Sequence, residues 1–204
     1  MRGFTDPSSQ ECCTGLMGVD RNERLTAVTG AVLIVLLAAL GVTILAIGQL
    51  IWWHVLIGML LIPPVLLKIG STGWRFVRYY RGAPEYVRRG PPITPLRLLA
   101  PLVVLSTVVV FGTGVALIVT GPSGGILVGL HKASFIVWLG ATGVHVLAHL
   151  RRLLPPARAV PGATARRLLV VASIVAGAVL AAATVRYGDS WVHWFAGNRG
   201  GGDG

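Results

Sequence analysis

Acidic residues are scarce in this chain: seven Asp and Glu stand against 18 Lys and Arg. None of the seven lies inside an apolar run, which argues against a carrier that relays protons through intramembrane carboxylates. Charge of either sign is sparse, at 12% of residues, about half of what a soluble domain carries. The two cysteines, Cys12 and Cys13, are adjacent, so there is neither a CxxC metal site nor a disulfide framework. No nucleophile–base set, phosphate-cradling loop or carboxylate pair is present, so the chain lacks the residues for substrate chemistry. Residues 1–24 hold no apolar region of their own, and a cleaved signal peptide is not expected.

What the chain does have is long apolar runs. Hydrophobic residues make up 54% of it, and Leu25–Trp53 and Leu98–Leu130 are each free of charge. Both exceed the roughly 20 residues that cross a hydrocarbon core. The pattern predicts an all-α, multi-pass integral protein of the cell membrane, with the lipid bilayer as its solvent. Five transmembrane helices are expected over Leu25–Gly48, Ile51–Val77, Leu98–Thr120, Leu130–Leu153 and Leu168–Val185. A transmembrane region at 25–187 then has an N-terminal segment, 1–24, before it and a tail, 188–204, after it. Pro63-Pro64 should kink the second helix; Gly121-Pro122 and Pro155-Pro156 should stop the third and fourth.

The formal charge of +11 is not a nucleic-acid signature. Eleven of the 18 basic residues crowd into Arg75–Arg97 and Arg151–Arg167, which is the pattern of topology determinants. Those two segments should be cytoplasmic, placing the N-terminus inside and the C-terminus outside. In the tail, Trp191–Phe195 (WVHWF) has the aromatic character of an interface belt, with His193 in it.

Histidines are the chemical puzzle. Under this topology the second and fourth helices run in the same direction, and His54 and His131 sit at the same depth near the outer boundary. His145 follows His131 by 14 residues, which returns it to the same helix face about 21 Å further on. Ligands at two depths on one face suit two haems stacked across a bilayer, with a facing helix giving the second axial ligand. His54 is the natural partner of His131. The same offset on the second helix reaches Lys68, where a two-haem pattern would have histidine. Iron ligation by Lys68 requires a neutral amine, whereas snorkelling or propionate pairing does not. His149, one turn past His145, suits a hydrogen bond to a quinone or a propionate, or simple solvation at the interface. Gly58, Gly112, Gly114, Gly140 and Gly143 would leave room for a porphyrin, although small residues also serve plain helix packing.

With "WWHVLIGMLLIPPVLLK" (52–68) and "GLHKASFIVWLGATGVHVLAHL" (129–150), the chain resembles the bacterial membrane cytochrome b superfamily. That superfamily includes the haem-binding anchor subunits of formate dehydrogenases and nickel-iron hydrogenases. The resemblance implies a four-helix haem-binding bundle and electron transfer between an oxidoreductase partner and the quinone pool. It implies haem b on His54 and His131, and a second haem on His145 that the lysine at 68 leaves without its usual ligand. It also implies an extracytoplasmic redox enzyme as partner, such as a molybdopterin-dependent one, and a non-catalytic role for this subunit. The competing expectation is a cofactor-free membrane anchor or assembly protein whose histidines are interfacial.

Overall fold

The computed structural model describes residues 7–88, 90, 94–123, 125–149 and 162–199. Among them the regular elements are all helical: α1 (Pro7–Leu45), α2 (Ile47–Tyr80), α3 (Pro84–Val87), α4 (Thr94–Thr120), α5 (Gly125–His149), α6 (Ala163–Thr184) and α7 (Asp189–Arg199). Short 3-10 turns at Gly121–Ser123 and Val185–Gly188 lead into α5 and α7. Five segments are long and apolar enough to cross a membrane: Gly18–Leu45, Ile47–Tyr80, Arg97–Ser123, Gly125–Ala148 and Ala163–Asn198. Leu45, Leu66, Val119 and Ile126 stand exposed on the outside, as side chains do when lipid rather than water surrounds them.

The helix ends follow local chemistry. Gly121 adopts φ +68°, which only glycine takes without strain, and with Pro122 it ends α4 where the sequence predicts. The predicted stop at Pro155-Pro156 lies outside the described residues. α5 begins more than a turn earlier than expected, at Gly125, whereas α2 opens with a short helical stretch from Ile47 that breaks at Leu50 and runs unbroken from Ile51, the expected start. The glycines that look like loop residues, Gly48 and Gly129, are helical. At the other end of the chain, α1 extends as one helix from Pro7, well before the apolar run.

Pro63-Pro64 does not interrupt α2. Its only non-helical dihedrals are at Leu50 (φ −110°, ψ 15°). The prolines do remove two backbone donors, and the carbonyl left without its partner by Pro64 is that of Leu60. Gly177 of α6 lies against this carbonyl so closely that a Cβ there would overlap the oxygen. Lipid gives helices no hydrophobic reason to associate, so close approach at small residues is what holds them. Gly177 and the neighbouring Ala181, 2% exposed, therefore clamp α6 onto α2. Val55 and Met59 pack against Ala181 in the same contact, with Leu60 and Leu180 beside them.

The helices fall into two close-packed groups. In one, α2 lies between α1 and α6; in the other, α4 and α5 form a hairpin. The groups meet through α2 and α4, and α7 bridges them at the His54 end, where Trp191 Nε1 donates to the Leu117 carbonyl (3.1 Å). The gap left between them holds the candidate site.

Candidate functional site

A cavity of about 580 Å³ lies between the two groups, and His54 and His131 reach it from different helices. Its walls come from α1, α2, α4, α5 and α7; α6 contributes none. Most of the lining is aliphatic or aromatic, including Leu37, Ile51, Met59, Phe111, Ile118 and Phe135. Among the described residues, Lys132 is its one charged lining residue and none is a carboxylate. The volume and the mix of apolar wall with a few polar groups are those of a ligand or cofactor pocket.

Helix geometry aims both imidazoles inward. His54 lies four residues after the break at Leu50, and His131 six after Gly125, about 9 Å into its helix. The sequence predicts both at a helix start; the early start of α5 places His131 deeper in its helix, while His54 lies one turn past the break at Leu50.

Each imidazole is held by a threonine of the adjoining helix. Thr43 Oγ1 of α1 lies 2.8 Å from His54 Nδ1, and Thr113 Oγ1 of α4 lies 3.0 Å from His131 Nδ1. A hydroxyl has one proton to give. Thr43 donates its proton to the Leu40 carbonyl (2.5 Å), and Thr113 to the Val109 carbonyl (2.8 Å). Each threonine oxygen is thus left as an acceptor, and the proton between it and the ring belongs to Nδ1. In the neutral imidazole this tautomer leaves the lone pair on Nε2, the form that ligates metals.

Gly114 gives His131 its room. A Cβ at that position would come within 3.2 Å of His131 Cε1, so any larger residue on α4 would press on the ring. Gly58 also lines the cavity. Gly112, Gly140 and Gly143 do not; a Cβ at any of them would meet open space. At the His54 end the cavity is covered by Trp191, Trp194 and Phe195 of α7. The sequence reads this aromatic run as an interface belt. In the fold it is also a wall, fixed by the Trp191–Leu117 bond. His193, on the same short helix, is exposed and does not line the cavity.

Lys68 and His145 do not line this cavity. Lys68 Nζ donates to the Thr26 carbonyl of α1 at 2.6 Å. Around it Thr26 Oγ1 donates to Ser71 Oγ (3.0 Å) and Asn22 Nδ2 to the Ser71 carbonyl (2.9 Å), forming a polar seam between α1 and α2. His145 is half-buried further along α5, away from the cavity lining. The side chain of His149 lies outside the described residues.

Among the described residues, no three of His, Cys, Asp and Glu gather into a metal-binding group. A zinc site takes three or four protein ligands. Two imidazoles facing one apolar cavity suit instead a metal that arrives with most of its ligands already attached. No known protein family, curated protein or solved structure matches the chain.

Proposed function

We propose that this chain is a membrane subunit that binds one haem b and passes electrons between an extracytoplasmic oxidoreductase and the quinone pool. The observation that carries the proposal is the pair of histidines across one apolar cavity, each with its Nδ1 tied to a threonine of the next helix. His54 and His131 would hold the haem iron through Nε2. Thr43 and Thr113 hold the rings in the ligating tautomer and fix their rotation, the usual task of partners behind a metal-bound histidine. Gly114 and Gly58 keep the adjoining wall thin, and the aliphatic lining keeps water from the two nitrogens. Lys132 supplies a positive charge for a carboxylate at the cavity edge.

Haem b, when bound, supplies a one-electron iron couple. The protein's part is to hold that couple at a fixed depth, dry, and within reach of the surface at the α7 end. If the arginine-rich segments are cytoplasmic, as the positive-inside rule has it, the α7 end faces outward, toward an extracytoplasmic partner. A redox enzyme there, molybdopterin-dependent or otherwise, and quinone as the second partner follow from the resemblance alone. The proposal is for one haem, because Lys68 is engaged with α1 and the cavity has a single pair of imidazoles.

One other reading draws on the same bonds. The Thr43–His54 and Thr113–His131 contacts tie α1 to α2 and α4 to α5, which a cofactor-free anchor would also use. That reading leaves the cavity between the rings without a purpose. The test is a dithionite-reduced minus oxidised visible spectrum of the purified protein and its His54→Ala variant. Sharp bands of six-coordinate haem b in the parent, lost in the variant, are expected. Absence of haem after expression with an ample haem supply would favour the anchor.

A further inference from the structure

A second cavity, of about 450 Å³, opens at the arginine-rich end of the α1–α2–α6 group, far along the chain from either cavity histidine. It has three cationic lining residues, Arg21 of α1, Arg78 of α2 and Arg166 of α6. Against these stands one carboxylate, Glu85 of α3, already bound to Arg78 at 2.8 Å. Arg21 has no ion pair among the described residues. Arg78 lies over the rings of Trp74 and Tyr86, 5.9 Å from each centroid, which fixes the guanidinium at the cavity wall. Its Nε–H is buried and has no acceptor among the described residues. A buried donor of this kind is costly unless an anion meets it.

The remaining wall is apolar. Leu25, Trp74 and Leu169 line the cavity, and Trp74 and Leu169 are also exposed on the outer surface beside Leu168. The cavity thus joins a cluster of guanidiniums to a surface suited to hydrocarbon. From these features we infer that the cavity binds an anionic phospholipid, its phosphate held by Arg21, Arg78 and Arg166 and its chains lying along Trp74 and Leu169. Guanidinium forks match phosphate oxygens in pairs, and basic pockets between helices on the cytoplasmic side are where such headgroups lodge. The inference is independent of the haem site and stands or falls separately from it.

The test is a titration of the purified full chain in neutral detergent with phosphatidylglycerol, phosphatidylcholine and inorganic phosphate, read by native mass spectrometry. Phosphatidylglycerol should be retained roughly tenfold better than phosphatidylcholine, given the expected contribution of each basic residue. Arg21→Gln with Arg166→Gln should abolish that preference, and Arg21→Lys should keep most of it. Ala165→Trp, which fills the cavity without changing its charge, should abolish it too. Circular dichroism checks that each variant keeps its helices. Equal retention of the two lipids by the parent, or a preference that survives Ala165→Trp in a folded protein, would overturn the inference. Displacement of phosphatidylglycerol by millimolar inorganic phosphate would make this a soluble-anion site and overturn the lipid assignment.

Discussion

The His54 end and the Lys68 end of α2 carry ionisable residues 14 positions apart on one helix face, yet they do opposite things. At the first, His54 uses one ring nitrogen for Thr43 of α1 and leaves the other for the cavity. At the second, Lys68 gives its ammonium to the Thr26 carbonyl of the same α1 helix. Both residues thus meet α1, and both satisfy a polar group there. An imidazole has two nitrogens, so it can be anchored and still ligate. A lysine has a single side-chain nitrogen; at Lys68 it is directed at the Thr26 carbonyl, and the residue does not line the cavity. The comparison teaches that position on a helix face selects the neighbour, while the side chain's inventory of donors and acceptors decides whether a site remains.

The sharpest way to break the comparison is to remove the residues one by one. His54→Ala and His131→Ala should each abolish haem binding, while Lys68→Met and His145→Ala should keep a full complement, all measured as pyridine haemochrome per chain. Haem lost in Lys68→Met but kept in His54→Ala would reverse the two levels.

Next in size is Gly114→Val. With a Cβ only 3.2 Å from His131 Cε1, the added methyls must displace the ring, and most of the haem should be lost. Gly140→Val, where a Cβ meets nothing, is the control and should keep it.

A smaller effect is expected behind the ligands. Thr43→Val and Thr113→Val keep the shape but remove the acceptor for Nδ1–H, so haem should still bind with affinity weakened about 10- to 100-fold. Haem transfer to an acceptor protein gives the rate. Unchanged retention in both variants would mean that the threonines do not set the tautomer.

Lys68→Met tests the other half of the comparison. It should leave the visible spectrum unaltered and cost about 1–3 kcal/mol of stability, the worth of a charge-assisted hydrogen bond. Loss of α1–α2 association in mild denaturant is the readout.

The smallest effect belongs to Glu85, outside the spans. Hydrogen bonding to its own backbone amide, then to Arg78, holds its carboxyl below the usual carboxylate value. A depressed pKa means stability present above the unfolded pKa and lost as pH falls through the folded one. The Arg78–Glu85 tie should therefore be intact at neutral pH and weaken only below about pH 4.3. Glu85→Gln should remove this acid-sensitive component, and melting curves at pH 3.5 and 7 would show it.

Much of the arrangement was legible in the sequence because it depends on local rules. Uncharged runs mark the five long apolar helices, Gly121-Pro122 ends α4, and equal register of His54 and His131 places them for a shared cavity. The errors have physical causes. A helical glycine at 129 disguised the true start of α5, since apolar surroundings and packing override glycine's weak propensity. Pro63-Pro64 reads as a kink; what the sequence does not show is that Gly177 comes from more than 100 residues away to pack on the carbonyl that Pro64 frees. Thr43 and Thr113 gave no signal: serine and threonine are common in membrane helices, and only the packing of α1 on α2 and α4 on α5 singles these two out. The same holds for α7, whose aromatic residues look alike in sequence whether they face headgroups or close a cavity.

The most direct measurement is haem stoichiometry, as pyridine haemochrome against protein by amino-acid analysis, on chain purified from haem-replete cells. One haem per chain is the predicted value, since the cavity offers one pair of free imidazole nitrogens. Two per chain would contradict the reading of Lys68 as engaged with α1, and none would contradict the site itself.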